Sequence, residues 1–330
     1  MKGTLRYLAG IAGPSGFGSN STAEQVIHQQ HSSSSSSSSN LTAIITGASS
    51  GIGAETARVL AKRGVRVVIG ARDTKKAKQV KEKIQKEIPN AKVVILEINL
   101  SSFASIHSFC SHFIALDLPL NILIRNNAGV FSQNLEFSQE NIEMTFATNY
   151  IGHFLLTEIL LEKIIETAEK SGIEGRIINV SSVIHSWVKN RDAFHFNDII
   201  KGTNYNGTMA YARSKLANIL HAKEIARQLK ARNARVTINA VHPGIVKTGI
   251  IRGHQGLLTD SIFFIASKLL KSTSQGASTT CYIALSQNTE GISGKYFADC
   301  NESKCSRLAN DELEAQKLWN QTHALLHNYF

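Results

Sequence analysis

One stretch limits what this chain can become: residues 42–46 form an unbroken β-type run that ends in Gly47, Ala48, Ser49, Ser50, Gly51, Ile52 and Gly53, where helical periodicity takes over. A short apolar run without polar alternation reads as a strand buried on both faces, the kind found in parallel sheets. Three glycines at the strand-to-helix junction permit a tight turn, close approach of the backbone to an anion, and close packing of helix on strand. The first N–H groups of the helix are then available to that anion. Downstream, β-type runs at 66–71, 92–97, 122–124, 176–180, 236–241 and near Tyr296 alternate with helical patterns at 52–63, 74–87, 102–113, 139–170, 209–229 and 274–284, and the tail 311–327 is helical as well. The alternation predicts an α/β fold, a single doubly wound parallel sheet of about seven strands with helices on both faces, over residues 41–330.

Upstream of that body the chain changes character. Residues 1–40 are rich in Gly and Ser, and 32–39 are serine throughout, so the extension is expected to be flexible, with folding starting near Leu41. Its scarcity of acids fits an organelle address as well as a plain tail, and it has no long apolar segment of the secretory kind. The most apolar later stretch, 257–270, is broken by Asp260 and Lys268 and is too short to span a membrane; a flap or a core helix suits it better. Cys110, Cys281, Cys300 and Cys305 show neither CxxC pairing nor a histidine cluster, which argues against a zinc site or a disulfide framework and for a reducing compartment.

The formal charge of +11 is concentrated: residues 72–92 hold eight Lys or Arg against three acids. A solvated helix face explains this, and so does attraction of a polyanionic cofactor. Nucleic acid is disfavoured, because the basic residues are not interleaved with aromatics and no matching motif is present. After the second strand, where a dinucleotide site that takes NAD usually places an acid for the ribose 2′-hydroxyl, the chain has Ala71 and Arg72. An arginine there suits a 2′-phosphate and predicts NADP(H), although Asp73 follows directly and is the alternative ribose partner. Further on, Tyr211 and Lys215 stand at i and i+4, one above the other on a helical face. A cation beside a phenol favours phenolate and draws it toward proton transfer with a carbonyl oxygen.

Taken together, Thr46 to Gly53, Asn126–Asn127–Ala128–Gly129, Asn149, Ser181–Ser182, Tyr211 to Lys215 and His242–Pro243–Gly244 resemble the short-chain dehydrogenase/reductase family, from about Leu41 to about Phe297. Asn149 to Phe154 and Tyr211 to Leu216 look like its retinol dehydrogenase-like branch. Residues 13–26 are similar to the plant members of that branch, which include the short-chain dehydrogenase subunit of the chloroplast inner-envelope protein translocon. The resemblance implies a Rossmann-like domain with NADP(H), and it implies roles for particular residues. Tyr211 would be general acid in reduction and base in oxidation. Lys215 would lower its pKa and bind the nicotinamide ribose. Ser182 would hydrogen-bond the substrate oxygen, with Ser181 as the alternative one residue earlier, and Asn149 would hold a relay water. Gly47, Ser49, Ser50, Gly51, Ile52 and Gly53 would cradle the pyrophosphate. Asn99, through its amide oxygen, and Leu100 would meet the adenine, and Asn127, Ala128 and Gly129 would lie against the adenine ribose. Pro243 and Gly244 would turn beneath the nicotinamide, with Thr248 reaching its carboxamide or the phosphates, and His242 is structural.

Two departures stand out. Asn99 replaces the aspartate common after the third strand, and Arg125 is one residue too many before the Asn126–Asn127 turn, which calls for a bulge or a flip of the following side chains. Between Ser182 and Tyr211 lie 28 residues, including Trp187, Phe194 and Phe196. With Phe131 and a flap at 250–270 these wall an apolar pocket for a lipophilic aldehyde, ketone or alcohol, unless the aromatics are ordinary core anchors. The competing class is a weakly catalytic NADP(H)-binding, redox-sensing subunit of an envelope protein-import complex, held peripherally at the chloroplast inner membrane; without an organelle address the chain would be cytoplasmic. The tail is no basic target helix, with Lys317 facing Glu312 and Glu314. Homodimers or tetramers of the family pair through the helices expected at 139–170 and 209–229.

Overall fold

The computed structural model describes residues 10–28, 40–125, 131–189, 191, 194–246 and 270–329. The run 42–46 is the middle of a parallel ladder. β1 (Thr42–Thr46), β2 (Arg66–Ala71), β3 (Val93–Glu97), β4 (Ile122–Arg125), β5 (Gly175–Val180), β6 (Val236–His242) and β7 (Tyr296–Ala298) lie in the order 3-2-1-4-5-6-7. An eighth strand, β8 (Asn301–Glu302), folds back antiparallel on β7. It exceeds the seven expected because two residues around a corner at positive φ, Asp299 and Cys300, carry no readable period. Arg125 extends β4 in register opposite Asn179, so up to this residue the extra position lengthens the strand without a bulge.

The helices are α1 (Ala23–His28), α2 (Gly51–Lys62), α3 (Thr74–Glu87), α4 (Phe103–Ala115), α5 (Gly152–Ser171), α6 (Phe196–Lys201), α7 (Gly207–Ala231), α8 (Thr273–Leu285) and α9 (Glu312–Leu326). Period-two alternation in the strands feeds two cores. Ile44, Val68, Leu123 and Ile177 face Phe109, Phe113, Phe154 and Leu220 on one side, whereas Ala43, Ile45, Ile69, Ile124 and Ile178 face Leu60, Ala77 and Ile283 on the other. Each large side chain fully buried this way contributes about 1.5–3 kcal/mol. α3 buries only Ala77 and Ile84, which leaves most of its lysines in solvent.

The long helix expected at 139–170 is interrupted. Asn141 sits at positive φ, and Glu143 caps one turn of helix at Met144–Phe146 by accepting from Thr145 N and Phe146 N, both at 2.8 Å. A π-turn at Ala147–Ile151 then leads into α5. Periodicity counts apolar positions and does not register one extra residue in a turn.

The upstream segment also departs from expectation where it is described. Residues 10–28 pack on the body: Phe17, Ala23, Val26 and Ile27 are buried, and Ala23 and Ile27 join Ile52, Val59, Ala277 and Cys281 in one apolar cluster. Asn301 accepts from Ser15 N and donates to Phe17 O, both at 3.0 Å, and Glu24 pairs with Arg58 at 2.8 Å and Lys62 at 3.0 Å. The Gly- and Ser-rich composition hid four apolar anchors.

Candidate active site

Every strand from β1 to β6 runs the same way, so the residues that follow them gather at one edge of the sheet, beside the point where the order reverses between β1 and β4. The glycine turn follows β1. Gly47 and Gly51 take φ of 65° and 56°, a region that costs side-chain-bearing residues energy, and Gly47 N donates to Gly70 O at 3.1 Å. Ser50 stands at the N-cap of α2 in extended conformation without a side-chain cap, Ser49 lies beside it, and Ile52 and Gly53 are buried. The first amides of α2 therefore lack a side-chain partner, the arrangement that receives an anion.

After β2, Arg72 is exposed, while Asp73 caps α3 by accepting from Lys76 N at 3.0 Å and pairs with Lys76 Nζ at 3.2 Å. Those bonds, the backbone one foremost, hold the Asp73 carboxyl below its ordinary value, so it is engaged by its own helix and ill placed to serve a ribose. After β3, Asn99 Oδ1 accepts from Ser101 N at 3.2 Å and Ser101 Oγ at 2.9 Å. The amide oxygen expected to meet adenine is thus already in use. The Leu100 carbonyl lies 2.0 Å from where a Cβ on Gly152 would stand, so α5 can pack here only through glycine.

On α7, Tyr211 and Lys215 do share a face: Lys215 Nζ lies 5.2 Å from the Tyr211 ring centroid and donates to Val180 O at 3.3 Å. Phe131 meets the Tyr211 ring edge-on at 5.6 Å. Burial pushes the Tyr211 phenol up to about 12, and burial followed by repulsion from Arg125 brings the Lys215 ammonium down to about 7. The two serines differ in what they touch. Ser181 is 1% exposed and donates to Lys215 O at 2.7 Å, which ties β5 to α7, whereas Ser182 Oγ is half-buried and accepts from Ile184 N at 3.4 Å. Asn149 sits in the π-turn and its Nδ2 donates to Ser214 Oγ at 3.1 Å, next to Lys215.

Pro243 is buried and Gly244 turns at φ of 84°, with the Lys271 stem where a Cβ would go. Lys271 is held by Asp299 at 2.5 Å. His242 is kept neutral, its pKa lowered to about 3 by burial and then by Lys271. Asn126, Asn127, Ala128, Gly129, Thr248 and nearly all of the 250–270 flap lie outside the described residues. Of the aromatics before Tyr211, Phe194 and Phe196 are core residues at 6% exposure, and Trp187 is exposed. Among the described residues no group of His, Cys, Asp or Glu could hold a metal, and all four cysteines are free. A cavity of about 680 Å³ lies at the opposite end of the sheet, by Val236, Thr237 and Gly291, remote from this constellation.

Two histidines that sequence reasoning passed over organise the site. His153 Nδ1–H donates to Asn149 O at 3.2 Å and its Nε2 contacts Thr46 Oγ1 at 2.9 Å, which ties the π-turn to the strand before the glycines. His185 Nδ1–H donates to Ser182 O at 2.7 Å while its Nε2 accepts from Ser306 N–H at 3.1 Å. Burial lowers both imidazoles, so both are neutral. The only signal for either was spacing, four residues after Asn149 and three after Ser182.

Comparisons with known proteins agree with this geometry. A profile described as short chain dehydrogenase matches residues 41–190. Short-chain dehydrogenase TIC 32 B, chloroplastic, of Brassica napus is 47% identical over 313 residues, 95% of either chain. Retinol dehydrogenase 12 of Bos taurus is 41% identical over 283 residues, 86% of this chain and 85% of that one. A crystal structure of a variant actinorhodin polyketide ketoreductase with NADPH superposes with a TM-score of 0.63 at 21% identity, covering 84% of this chain and all of that one, a likeness of fold.

Proposed function

Because the chain belongs to the short-chain dehydrogenase family, we propose that it is an NADP(H)-dependent oxidoreductase that interconverts a lipophilic aldehyde or ketone with the corresponding alcohol. The observation that carries this reading is the Tyr211–Lys215 pair, with the ammonium 5.2 Å from the ring centroid, at the sheet edge where the glycine turn also opens. Bound NADP(H) supplies or accepts the hydride. Tyr211 donates a proton to the substrate oxygen in reduction and takes it back in oxidation. Lys215, as the ammonium, favours the phenolate that each donation leaves behind. Ser182 donates its hydroxyl to the same oxygen and stabilises negative charge as it develops there. The Gly47–Gly53 turn, with Ser49, Ser50 and the first amides of α2, would take the pyrophosphate. Arg72 would take the 2′-phosphate, a preference supported by the engagement of Asp73 as a helix cap. Leu100 would meet the adenine and Pro243 and Gly244 the nicotinamide, while Phe131 and Trp187 give the site its apolar border. The chloroplastic relatives support a location in the chloroplast, which we place peripherally at the inner envelope, and among the described residues no helix is long and apolar enough to cross a membrane.

The test is NADPH consumption by the purified full chain across a panel of long-chain and small charged carbonyls, with Tyr211→Phe as control. Turnover that survives Tyr211→Phe, or a preference for the charged carbonyls, refutes the reading. For the cofactor, Arg72→Glu should reverse the ratio of kcat/KM between NADPH and NADH, and equal use of both by the parent refutes the NADP(H) preference. A second reading, a weakly catalytic NADP(H)-binding subunit that senses redox state for an envelope complex, is favoured by Arg125, a cation buried close to Lys215. NADPH binding without turnover, together with co-purification of membrane complexes, would select it.

A further inference from the structure

Lys215, Asn218 and His221 follow one another at three-residue steps and share the inward face of α7, against the ends of β4 and β5. Lys215 Nζ and Asn218 Nδ2 both donate to Val180 O, at 3.3 and 3.2 Å. Asn179 Nδ2 donates to Asn218 O at 3.0 Å and lies 3.2 Å from His221 Nδ1. Into this network the additional residue of β4 inserts a guanidinium: Arg125 is 2% exposed, pairs with Asn179 in the ladder, and its Nη1 donates to His221 Nδ1 at 2.6 Å. Its Nε and Nη2 have no hydrogen-bond partner among the described residues. A buried guanidinium normally has a carboxylate opposite it, because an unpaired charge in a low-dielectric interior is costly.

We propose that Arg125 is a positioning residue that acts through Lys215: a second buried cation in the Lys215 network, it disfavours the ammonium form and holds proton transfer at Tyr211 below what an uncharged residue would permit. The inference rests on the oxidoreductase reading above. The groups around Arg125 leave it poorly compensated. From α7 it faces His221 and Lys215; from the π-turn and α5 it faces Tyr150, His153 and Glu158. His221 and His153 are neutral, driven well below their ordinary value by burial first and by Arg125 second. Among the described residues Glu158 is the one carboxylate that acts on it, and burial raises that carboxyl to about 7. Two cations in one dry pocket cannot both keep their protons easily, and a guanidinium yields its proton last. Lys215 is the partner that gives way, losing its charge as the pH rises through about 7.

The experiment follows nonanal reduction by NADPH between pH 6 and pH 9 in the full chain and in Arg125→Met, Arg125→Lys and Glu158→Gln. Without the second cation burial alone acts on Lys215, which keeps its charge to a higher pH than in the parent. The ratio of kcat for Arg125→Met to kcat for the parent should then sit near one at pH 6 and rise with pH, to several-fold at pH 8. Arg125→Lys, whose buried ammonium can itself give up its proton, should fall between the parent and Arg125→Met. Glu158→Gln should move the opposite way and lower kcat several-fold at pH 8, which keeps the test alive if Arg125→Met fails to fold. A residue with only a packing role would change the rate equally at all pH values. If parent turnover is abolished by Tyr211→Phe, the oxidoreductase reading stands, and a pH-independent ratio or an unchanged Glu158→Gln then overturns the role of Arg125 alone. NADPH binding with no Tyr211-dependent turnover in parent or Arg125→Met overturns both.

Discussion

Replacing His185 with phenylalanine isolates what holds the candidate catalytic serine in place. The ring should keep its edge-on contact with Tyr296, now at a centroid distance of 5.1 Å, so the packing loss is small. Two hydrogen bonds are lost, from Nδ1–H to Ser182 O and from Ser306 N–H to Nε2. The first contributes about 1 kcal/mol, and the unpartnered amide costs about 1 more because Ser306 is only part-buried, for a total of roughly 2 kcal/mol in unfolding free energy. Ser182 O would retain the His185 backbone N–H at 3.1 Å, so the turn loosens without opening. Urea denaturation followed by circular dichroism measures the stability term, and kcat with Ser182→Ala in a double-mutant cycle measures the catalytic one. If His185 acts through Ser182, kcat falls in His185→Phe but no further when Ser182→Ala is already present. Asparagine, which restores a donor near Nδ1, should recover kcat more than stability. Fully additive effects on kcat, or an unchanged urea midpoint, would refute the assignment.

Further outcomes follow from the same contacts. His153, His185, His221 and His242 are all held neutral with lowered pKa values, so the unfolded chain takes up protons that the folded one refuses. The contribution of these histidines should be full above about pH 6.5 and be lost as the pH drops below it, by up to ~1.4 kcal/mol per pH unit for each proton taken up. Glu158, with its raised pKa, opposes this between about 7 and 4.5; a urea midpoint that climbs from pH 6 to pH 4.5 would contradict the balance. Gly152→Ala sets a Cβ 2.0 Å from Leu100 O, a backbone atom that cannot rotate away, and should cost more than about 3 kcal/mol or prevent soluble expression. Removing residues 1–28 exposes Ile52 and Ala277, so NADPH affinity and the urea midpoint should drop together; an unchanged dissociation constant would show that α1 does not support the glycine turn.

The single parallel sheet and the glycine turn at its edge were legible because they rest on short-range rules. Apolar runs, glycines at φ near 60° and the i, i+4 step of Tyr211 and Lys215 are local features, and a single parallel topology accommodates them. The π-turn at Ala147–Ile151 and the two-residue β8 escaped because one residue or one corner leaves no period to count. The docking of residues 10–28 escaped because Phe17, Ala23 and Ile27 find their partners on α2 and α8, some 30 to 260 positions away in sequence.

Arg72 and Arg125 mark the division between the two kinds of information. Residue types and spacing pointed to groups at the sheet edge, including a cation after β2 and a surplus cation in β4. Only packing decided what each cation does. Arg72 stands in solvent while Asp73 turns to cap its helix, and Arg125 is drawn 2.6 Å from His221 into the interior that also holds Lys215. Spacing sets which way a side chain points, whereas the strength of a charge depends on the water and dipoles that the rest of the chain leaves around it.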